Sequence, residues 1–284
     1  MILDGKAFAK KIESKIAQEA LEFQKIYNMR ASLHTILIGD DEASKIYARS
    51  KIKTLKNLNM DGEIHQLPAT SSQEEVINMI KDLSSRKDVH GIMVEMPIPK
   101  NLDKNAILSN INPIKDVDGQ NPINLGLLML GIEDHVPSTP RAVIRILEEY
   151  NVQISGKNVC IINRTPVVGK PLTMLLLNRD ATVQVCHSKT RNLDVLTKSS
   201  DIVVVAVGKP FFLKENMVNE NSIVIDVGIN SYNGKIVGDA DFDHLLNKVA
   251  MITPVPGGVG SVTTMLIVEQ TLRNAQTLMK NQGI

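Results

Sequence analysis

Stretches with apolar residues at helical spacing alternate with short, mainly apolar runs along the first half of the chain. Phe8, Ile12 and Ile16 begin a pattern of helical spacing, whereas the run from Leu33 to Ile38 is typical of a strand. The elements predicted here are a helix over 8–23, a strand over 33–38, a helix around 47, a strand near 63–65, a helix over 72–85 and a strand over 90–94. Strands separated by helices of this length imply right-handed crossovers and a parallel sheet.

A second series of strands and helices follows a turn-rich segment over 112–119. Pro97 and Pro99 stop the preceding strand, because proline cannot donate a hydrogen bond to a neighbouring strand. Thr139 and Pro140 suit the N-cap and first residue of a helix. The elements predicted after the segment are helices over 125–130, 140–150, 172–177 and 262–279, and strands over 158–162, 181–185, 201–208 and 222–226.

The order of these elements predicts an α/β fold with two α/β domains, the second Rossmann-like with a parallel sheet. We place the first domain at residues 1–118 plus 262–284, because the last helix has enough apolar residues to pack against the first half. The second domain then spans 119–261, and we expect a cleft between the two. In parallel sheets, ligands bind beyond the carboxyl ends of the strands, where Glu95 and the turn before Tyr47 lie.

Composition excludes several classes of protein. Lys and Arg number 32 against 31 Asp and Glu, so the formal net charge of +1 indicates neither nucleic acid nor a membrane surface as the main partner. The chain runs from Met1 straight into a helical pattern, which predicts no signal peptide, and no apolar stretch reaches the roughly 20 residues that span a bilayer.

The cysteines and histidines indicate neither disulfides nor metal. Cys160 and Cys186 are both expected to end buried strands, and we interpret them as reduced core residues of a cytosolic protein, with a redox pair as the alternative. No Cys or His cluster has metal-ligand spacing, so we expect no metal site.

Tyr47 and Lys51 are the first candidate functional residues. Four residues apart on a helix, they share one face, so that the phenol and the ammonium can converge on a ligand. The apolar stripe of this helix predicts that both lie one position away from it, at the margin of core and water. The alternative is a solvent-directed lysine beside a packed tyrosine. Asp41 and Glu42 suit the first turn of the helix, and Gly62 is expected to follow its end.

The segment after the third predicted strand supplies acidic candidates. Glu95 directly follows the strand over 90–94, and Asp116 and Asp118 lie in the turn-rich segment. For these two aspartates the alternative is turn formation, through hydrogen bonds from the backbone to their own side chains.

The second half carries features of an anion site. The strand over 158–162 passes through a tight loop into a helix, whose N-terminal N–H groups and dipole attract anions. No G-x-G-x-x-G motif occurs here. Ser188, Lys189 and Arg191 follow the next strand, where an acid usually binds the ribose 2′-hydroxyl of NAD. A hydroxyl and two cations suit a 2′-phosphate, which favours NADP over NAD. The glycine-rich loop over 254–260 allows close backbone approach to a ligand, or is an ordinary turn.

These motifs together resemble the bifunctional methylenetetrahydrofolate dehydrogenase/cyclohydrolase family over essentially the whole chain. The matching stretches are residues 47–51, 91–99, 115–119, 137–140, 168–171, 187–190 and 253–260. The resemblance implies a cytoplasmic homodimer in one-carbon metabolism and purine biosynthesis. It implies NADP-dependent oxidation of 5,10-methylenetetrahydrofolate and hydrolysis of the product to 10-formyltetrahydrofolate.

The resemblance also implies roles for individual residues. Lys51 is the catalytic lysine, Tyr47 orients or stacks on the folate, and Asp118 hydrogen-bonds the pterin, with Glu95 beside the lysine. The loop of Pro256, Gly257 and Gly258 contacts substrate and nicotinamide. The implied cofactor-binding residues are Asn163, Arg164, Thr165, Gly169, Ser188, Lys189, Arg191 and Ile229.

The sequence departs from the family's pattern at three positions. The family commonly has Gly where Asn163 stands, Pro where Ser261 stands and Gln where Glu95 stands. A carboxylate within about 4–6 Å of an ammonium favours its charged form. Glu95 ends the third predicted strand, so we expect it to lie near Lys51 at the mouth of the cleft. We therefore predict that it weakens hydrolysis at neutral pH while sparing hydride transfer. Alternatively, Glu95 is itself the general base. Two other classes remain as alternatives: a non-catalytic folate- and nucleotide-binding protein, and a short-chain dehydrogenase.

Overall fold

The computed structural model describes residues 1–281, which form two compact units. The three-stranded unit comprises Lys11–Leu127, Glu133–Val136 and the residues from Thr264 onward, and the five-stranded unit comprises Met1–Lys10, Leu128–Ile132 and Pro137–Thr263. The two domains predicted from the sequence, at residues 1–118 plus 262–284 and at 119–261, stay a prediction. No helix within residues 1–281 is long and apolar enough to cross a membrane.

The first half of the chain folds as the apolar pattern predicts, with one additional short helix. The elements are α1 (Gly5–Tyr27), β1 (Ser32–Ile38), α2 (Glu42–Asn57), β2 (Asp61–Leu67), α3 (Gln73–Ser85), β3 (Gly91–Val94), α4 (Lys104–Ser109), a 3-10 turn (Pro113–Lys115) and α5 (Pro122–Met129). The strands pair in parallel in the order β2-β1-β3. The carboxyl ends of β1 and β3 therefore lie side by side.

One face of this sheet is covered by α3, whose apolar residues recur at helical spacing. Val76, Ile80 and Leu83 are buried against Ile36 and Ile92 of the sheet. Each such side chain stabilises the fold by roughly 1.5–3 kcal/mol through removal of apolar surface from water. The helix begins at a capping box formed by residues 72 and 75. The packing of α3 keeps the strand ends at a defined position.

The second half forms a five-stranded parallel sheet, again close to prediction. Its elements are α6 (Ser138–Glu149), β4 (Asn158–Ile162), α7 (Gly169–Leu177), β5 (Thr182–Cys186), α8 (Leu193–Lys198), β6 (Ile202–Val205), a 3-10 turn (Glu215–Met217), β7 (Ile223–Asp226), β8 (Asn230–Tyr232), β9 (Lys235–Val237), α9 (Phe242–Leu245), β10 (Met251–Ile252) and α10 (Val259–Asn281). The strand order is β10-β7-β6-β4-β5, and β8 and β9 form a separate antiparallel hairpin.

The order of the five strands determines where a ligand can bind. From β4, the chain passes first to β5 on one side and then to β6 on the other, so the direction of winding reverses at β4. This is the 2-1-3-4-5 order of doubly wound sheets, in which a crevice opens beyond the strand ends at the reversal. The strands β4 and β6 are almost wholly buried, as expected for a sheet covered on both faces.

Several helices extend beyond their predicted ranges, and the structure also corrects the two helix ends that were predicted from capping or stop residues. Helix α2 ends at Asn57 and Gly62 lies within β2, because Asn59, at φ +57°, already takes the left-handed conformation that turns the chain. Helix α6 begins at Ser138 rather than at Pro140. Pro140 is nevertheless tolerated there, since the first four N–H groups of a helix have no partner within it.

Candidate functional site

Lys51 lies on the buried face of α2, and the prediction that it lies at the margin is wrong. The buried residues of the helix are Ser44, Ala48, Lys51 and Leu55, which form one stripe at spacings of three and four. Lys51 is only 8% exposed. Asp41 caps the helix by accepting a hydrogen bond from the N–H of residue 44 at 2.8 Å, as its position predicts. The buried face of α2 therefore includes one lysine.

Glu95 is the partner of that lysine. Its Oε1 lies 2.6 Å from Nζ of Lys51, and Glu95 is itself 7% exposed. The backbone N–H of Glu95 donates to the carbonyl of Ile36, which extends the pairing of β3 with β1 by one residue. The predicted proximity of Glu95 and Lys51 is thus confirmed. Burial raises the pKa of Glu95, the charge of Lys51 opposes this shift, and the charge of Asp118 adds to it.

A hydrogen bond to the chain just beyond Glu95 anchors α2 there. The hydroxyl of Ser44 lies 2.9 Å from the carbonyl oxygen of Met96 and 2.6 Å from Oδ1 of Asp41. Because Ser44 and Lys51 belong to one helix and Met96 follows Glu95 directly, this contact helps to hold the ion pair in place.

The two aspartates of the turn-rich segment differ in their surroundings. Asp116 is buried and accepts hydrogen bonds from the N–H of Asn121 at 2.7 Å and the side chain of Asn124 at 3.0 Å. Burial raises the pKa of Asp116 to about 6. Its contacts are those of a turn-forming residue. Asp118 is less buried, accepts a hydrogen bond from the side-chain amide of Gln120, and influences the pKa of Glu95 through its charge.

Two further polar residues of the same unit are Tyr47 and Lys104. Tyr47 is 48% exposed and lies one turn before Lys51 on α2. Its phenol ring is thus accessible to a ligand. Lys104, the first residue of α4, was not predicted as a site residue. Burial lowers its pKa, and the charge of Asp118 opposes this shift, which places it close enough to Asp118 to be a further candidate.

The five-stranded unit contains a pocket of about 490 Å³ beyond the ends of β4, β5 and β6. This is the position that the strand order predicts for a nucleotide. The pocket is lined by Ile162, Asn163, Arg164, Cys186, His187, Ser188, Thr190, Leu193, Ala206, Val207, Lys209 and Phe212. None of these lining residues is acidic, while Arg164 and Lys209 bring positive charge. The pocket therefore suits an anionic ligand with an apolar portion.

Asn163 organises the loop between β4 and α7. Its side-chain oxygen accepts hydrogen bonds from the N–H of Thr165 at 2.8 Å and of Gly169 at 3.0 Å, and its amide donates to the carbonyl of Ala206 at 2.6 Å. A Cβ added at Gly169 would lie 2.1 Å from the carbonyl oxygen of Asn163, so only glycine fits there. The loop and the start of α7 are therefore held as one rigid turn.

The remaining predicted cofactor residues lie outside the pocket lining. Lys189 and Arg191 are exposed in the segment that follows β5, next to the lining residues Ser188 and Thr190. Ile229 is 49% exposed between β7 and β8 and does not line the pocket. Their role in cofactor binding stays a prediction.

Sequence reasoning missed Lys209 in this pocket. It lies four residues after the end of β6, in the sequence Gly-Lys-Pro, and its N–H donates to Asp239 at 2.8 Å. Its position after the third strand of the second half could have identified it, because ligands bind beyond the carboxyl ends of parallel strands. The candidate residues after β4 and β5 were selected by the same rule.

The glycine-rich loop is tightly packed in the same unit. A Cβ added at Gly258 would lie 2.4 Å from the carbonyl oxygen of Pro254, and Gly257 takes φ +103°. The N–H of Lys6 donates to the carbonyl of Gly257 at 2.8 Å. Both glycines are thus required by the backbone itself. The predicted contact of Pro256, Gly257 and Gly258 with a ligand stays a prediction.

Cys160 and Cys186 are free and buried on adjacent strands, with their sulfur atoms 3.5 Å apart. Cys186 ends β5 as predicted, whereas Cys160 lies in the middle of β4. Burial raises the pKa of Cys160 above its ordinary range, so this thiol is a weak nucleophile.

The parallel sheet, its reversal at β4 and the acid-free pocket define an α/β nucleotide-binding protein. Residues 137–279 match the family model described as the tetrahydrofolate dehydrogenase/cyclohydrolase NAD(P)-binding domain, and residues 3–118 match its catalytic domain. The chain belongs to this tetrahydrofolate dehydrogenase/cyclohydrolase family.

Individual relatives agree with this assignment. The bifunctional protein FolD of Methanococcoides burtonii is 42% identical over 97% of this chain and 96% of its own length. The crystal structure of the bifunctional FolD enzyme of Campylobacter jejuni is similar with a TM-score of 0.95 at 40% identity, covering 98% of this chain and 99% of that one. The Trypanosoma brucei FolD structure, complexed with NADP and an inhibitor, has a TM-score of 0.93 at 35% identity, covering 98% and 97%.

Proposed function

We propose that this chain oxidises 5,10-methylenetetrahydrofolate with NADP and hydrolyses the resulting 5,10-methenyltetrahydrofolate to 10-formyltetrahydrofolate. The observation that carries the proposal is the buried ion pair of Lys51 and Glu95, 2.6 Å apart at the carboxyl end of β3. Removing two charges from water costs several kcal/mol per ion, so a pair in this position is better explained by chemistry than by stability. Membership of the family supports both activities.

The residues that line the pocket beyond β4, β5 and β6 fit NADP. Arg164 and Lys209 provide positive charge, and Ser188 provides a hydroxyl, for a 2′-phosphate. An acid that would favour the free 2′-hydroxyl of NAD is absent from the described lining. The chemistry that bound NADP supplies is acceptance of a hydride from the methylene carbon of the substrate. The start of α7 at Gly169 would hold the pyrophosphate, because the N-terminus of a helix attracts anions.

Tyr47 and Asp118 are proposed to bind the folate. The exposed ring of Tyr47 offers an apolar face for stacking on the pterin. Asp118, as a carboxylate, can accept hydrogen bonds from the pterin's N–H groups. Hydride transfer depends mainly on the alignment of two bound rings. These two residues would therefore support both reactions by orientation rather than by proton transfer.

Lys51 and Glu95 are proposed to manage the protons of the hydrolytic step. The attacking water must lose a proton, and a group within hydrogen-bond reach has to accept it. The carboxylate of Glu95 lies 2.6 Å from Nζ of Lys51 and so engages the nitrogen that would otherwise accept this proton. The second candidate function follows from this contact: a dehydrogenase whose hydrolysis is weak at neutral pH.

The test is an assay of the purified full chain with 5,10-methylenetetrahydrofolate and either NADP or NAD. We expect methenyltetrahydrofolate to form with NADP and then to disappear faster than in a protein-free blank. Methenyltetrahydrofolate that accumulates and decays at the blank rate would support the dehydrogenase alone. Failure to form it with either cofactor would contradict the proposal and would favour a non-catalytic binding protein.

We also propose that the enzyme acts in the cytoplasm as a homodimer, with no nucleic acid or membrane as partner. The family resemblance supports the dimer, and the two free cysteines agree with a reducing compartment. Light scattering after size-exclusion chromatography would measure the mass directly. A mass of one chain at micromolar concentration would contradict the dimer.

A further inference from the structure

Three side chains that commonly bind metals meet on one face of the three-stranded sheet. His34 lies on β1, and Glu63 and His65 lie on β2. His34 is the register partner of Glu63, and His65 follows Glu63 by two residues, so the pleat directs all three side chains to the same face. The proposed reaction uses none of them.

The potential ligand atoms of these residues are already close together. Nδ1 of His34 lies 2.8 Å from Nε2 of His65, and the two rings are stacked at an angle of 15°. Oε2 of Glu63 lies 3.8 Å from Nδ1 of His34, and its Oε1 lies 3.9 Å from Nδ1 of His65. One ligand atom from each residue falls within 4.8 Å of the others.

We propose that His34, Glu63 and His65 bind a zinc ion. Two imidazoles and one carboxylate are a common zinc ligand set, with zinc–ligand distances of about 2.0–2.2 Å. Ligand atoms around a tetrahedral zinc are therefore roughly 3.3 Å apart, so the two histidine nitrogens need to separate by roughly 0.5 Å. Three protein ligands leave the fourth position to water.

The surroundings allow this small adjustment. The side chain of Glu63 is 60% exposed, so it can rotate toward the histidines, whose side chains are 6% and 15% exposed. The two imidazoles thus define the position, and the glutamate closes the site from the surface. Because β2 is the edge strand of the sheet, a bound zinc would link this edge to the central strand β1.

Access and charge also suit a cation. A pocket of about 390 Å³ reaches His34 and Glu63 from the surface. The nearby cation Arg86 is neutralised by Asp88, whose oxygens accept hydrogen bonds from it at 2.7 and 3.1 Å.

The competing explanation is a histidine pair that only links the two strands by a hydrogen bond. It predicts no dependence on metal, because one neutral ring donates and the other accepts. The two explanations differ in what zinc does to the whole protein.

The test is a calorimetric titration of the chelator-treated full chain with zinc chloride at pH 7.5. We expect one zinc per chain and a higher melting temperature with zinc than without. His65→Gln and Glu63→Gln should each weaken binding by at least about tenfold, since each removes a ligand. With Co²⁺ as the probe, visible absorption typical of four-coordinate cobalt should appear in the native chain and vanish in both variants.

His244→Gln is the matched control, because His244 is an exposed histidine beside an acid, Asp241, in the other unit. It should bind zinc as the native chain does. Glu63 is exposed, so its variant should fold even if a histidine variant does not. Absence of stoichiometric zinc binding, or binding that Glu63→Gln leaves unchanged, would overturn the proposal. The dehydrogenase assay is independent of either result.

Discussion

Nζ of Lys51 and Oε1 of Glu95 lie 2.6 Å apart, and both residues are more than nine-tenths buried. The pair joins a helix to the end of a strand in a parallel sheet. A carboxylate in this position makes a charge-assisted contact with the lysine, whereas an amide would offer a hydrogen bond without the negative charge. The rate of hydrolysis is therefore expected to depend on whether residue 95 is an acid or an amide.

We expect Glu95→Gln to raise the rate of hydrolysis at pH 7 and to change the dehydrogenase rate little. An amide at residue 95 removes the negative charge 2.6 Å from Nζ of Lys51, and hydride transfer needs no proton from this lysine. Rates of methenyltetrahydrofolate decay and of NADPH formation, measured from pH 6 to 9, check both statements.

A decrease in the rate of hydrolysis in Glu95→Gln would indicate a different role for Glu95. If Glu95 is the general base, which its burial-raised pKa suits, Glu95→Gln would lower hydrolysis. An unchanged rate would contradict both roles. Lys51→Ala is the companion variant: it should abolish hydrolysis and spare much of the dehydrogenase activity. Its melting temperature must be measured, since it leaves a buried acid without its partner.

Arg164→Ala and Ser188→Ala should raise the KM for NADP far more than the KM for NAD. A charge-assisted contact with phosphate contributes on the order of 1.5–3 kcal/mol, which corresponds to about 10- to 150-fold in binding. Steady-state kinetics with both cofactors measure the difference. Lys198→Ala, an exposed lysine of the same unit outside the pocket lining, is the control. Equal turnover of the native enzyme with NAD and NADP at low concentration would count against the NADP assignment.

Asp118→Ala should weaken folate binding and slow both reactions, with the KM for NADP nearly unchanged. A lost hydrogen bond to a charged group predicts about a 10- to 150-fold rise in the KM for folate. If Asp118 only shapes the turn with Gln120, the variant would melt earlier but keep its kinetic constants. Asp82→Asn, an exposed acid on α3, controls for the loss of charge. Kinetics beside a melting curve separate the two roles.

Asn163→Gly should destabilise the five-stranded unit, although the family commonly has glycine there. Its side chain accepts hydrogen bonds from residues 165 and 169 and donates to Ala206, and each such bond contributes about 0.5–1.5 kcal/mol. Chemical denaturation of the variant measures the loss. A cofactor KM that falls at the same time would show that the freed N–H groups bind phosphate. An unaltered unfolding midpoint would contradict the structural role of Asn163.

Protonation of His90 should destabilise the protein in acid. His90 is 1% exposed and its Nδ1 accepts a hydrogen bond from the N–H of Ser32 at 3.1 Å. Burial, with the charge of Lys115 as the next cause, lowers its pKa from 6.5 to about 4. Between these values the unfolded chain binds a proton that the folded chain does not. The free energy of unfolding therefore falls as pH decreases from 6.5 to 4, by on the order of 3 kcal/mol from this group.

The variant His90→Asn isolates this effect, because it keeps an acceptor for Ser32 but cannot titrate. It should be less stable than the native chain at pH 8, and the gap should narrow by pH 4.5. Asp116 and Asp226, whose pKa values burial raises to about 6, act in the opposite direction but equally in both proteins. Urea denaturation at several pH values gives the gap. A gap that is constant with pH would contradict the shifted pKa.

The sequence alone determined the order and type of most elements, because apolar periodicity reflects which face of each element is buried. It also predicted that Glu95 lies near Lys51, because Glu95 ends the third predicted strand and both side chains are expected to face the mouth of one cleft. The resemblance to a family rested on loops such as 253–260, where backbone geometry requires particular residues. Helix ends were less predictable: Gly62 marks no boundary, because Asn59 turns the chain first.

Only the tertiary structure decided which polar side chains are buried and what they contact. Lys51 lies on the buried stripe of α2 because Glu95 offers it a partner, and the sequence of α2 does not contain that partner. His34 and His65 are 31 residues apart and meet because β1 and β2 pair in one register. A shift of one residue would turn one ring to the other face of the sheet. Pairing between distant segments is set by the packing of the whole unit, and so local patterns do not reveal it.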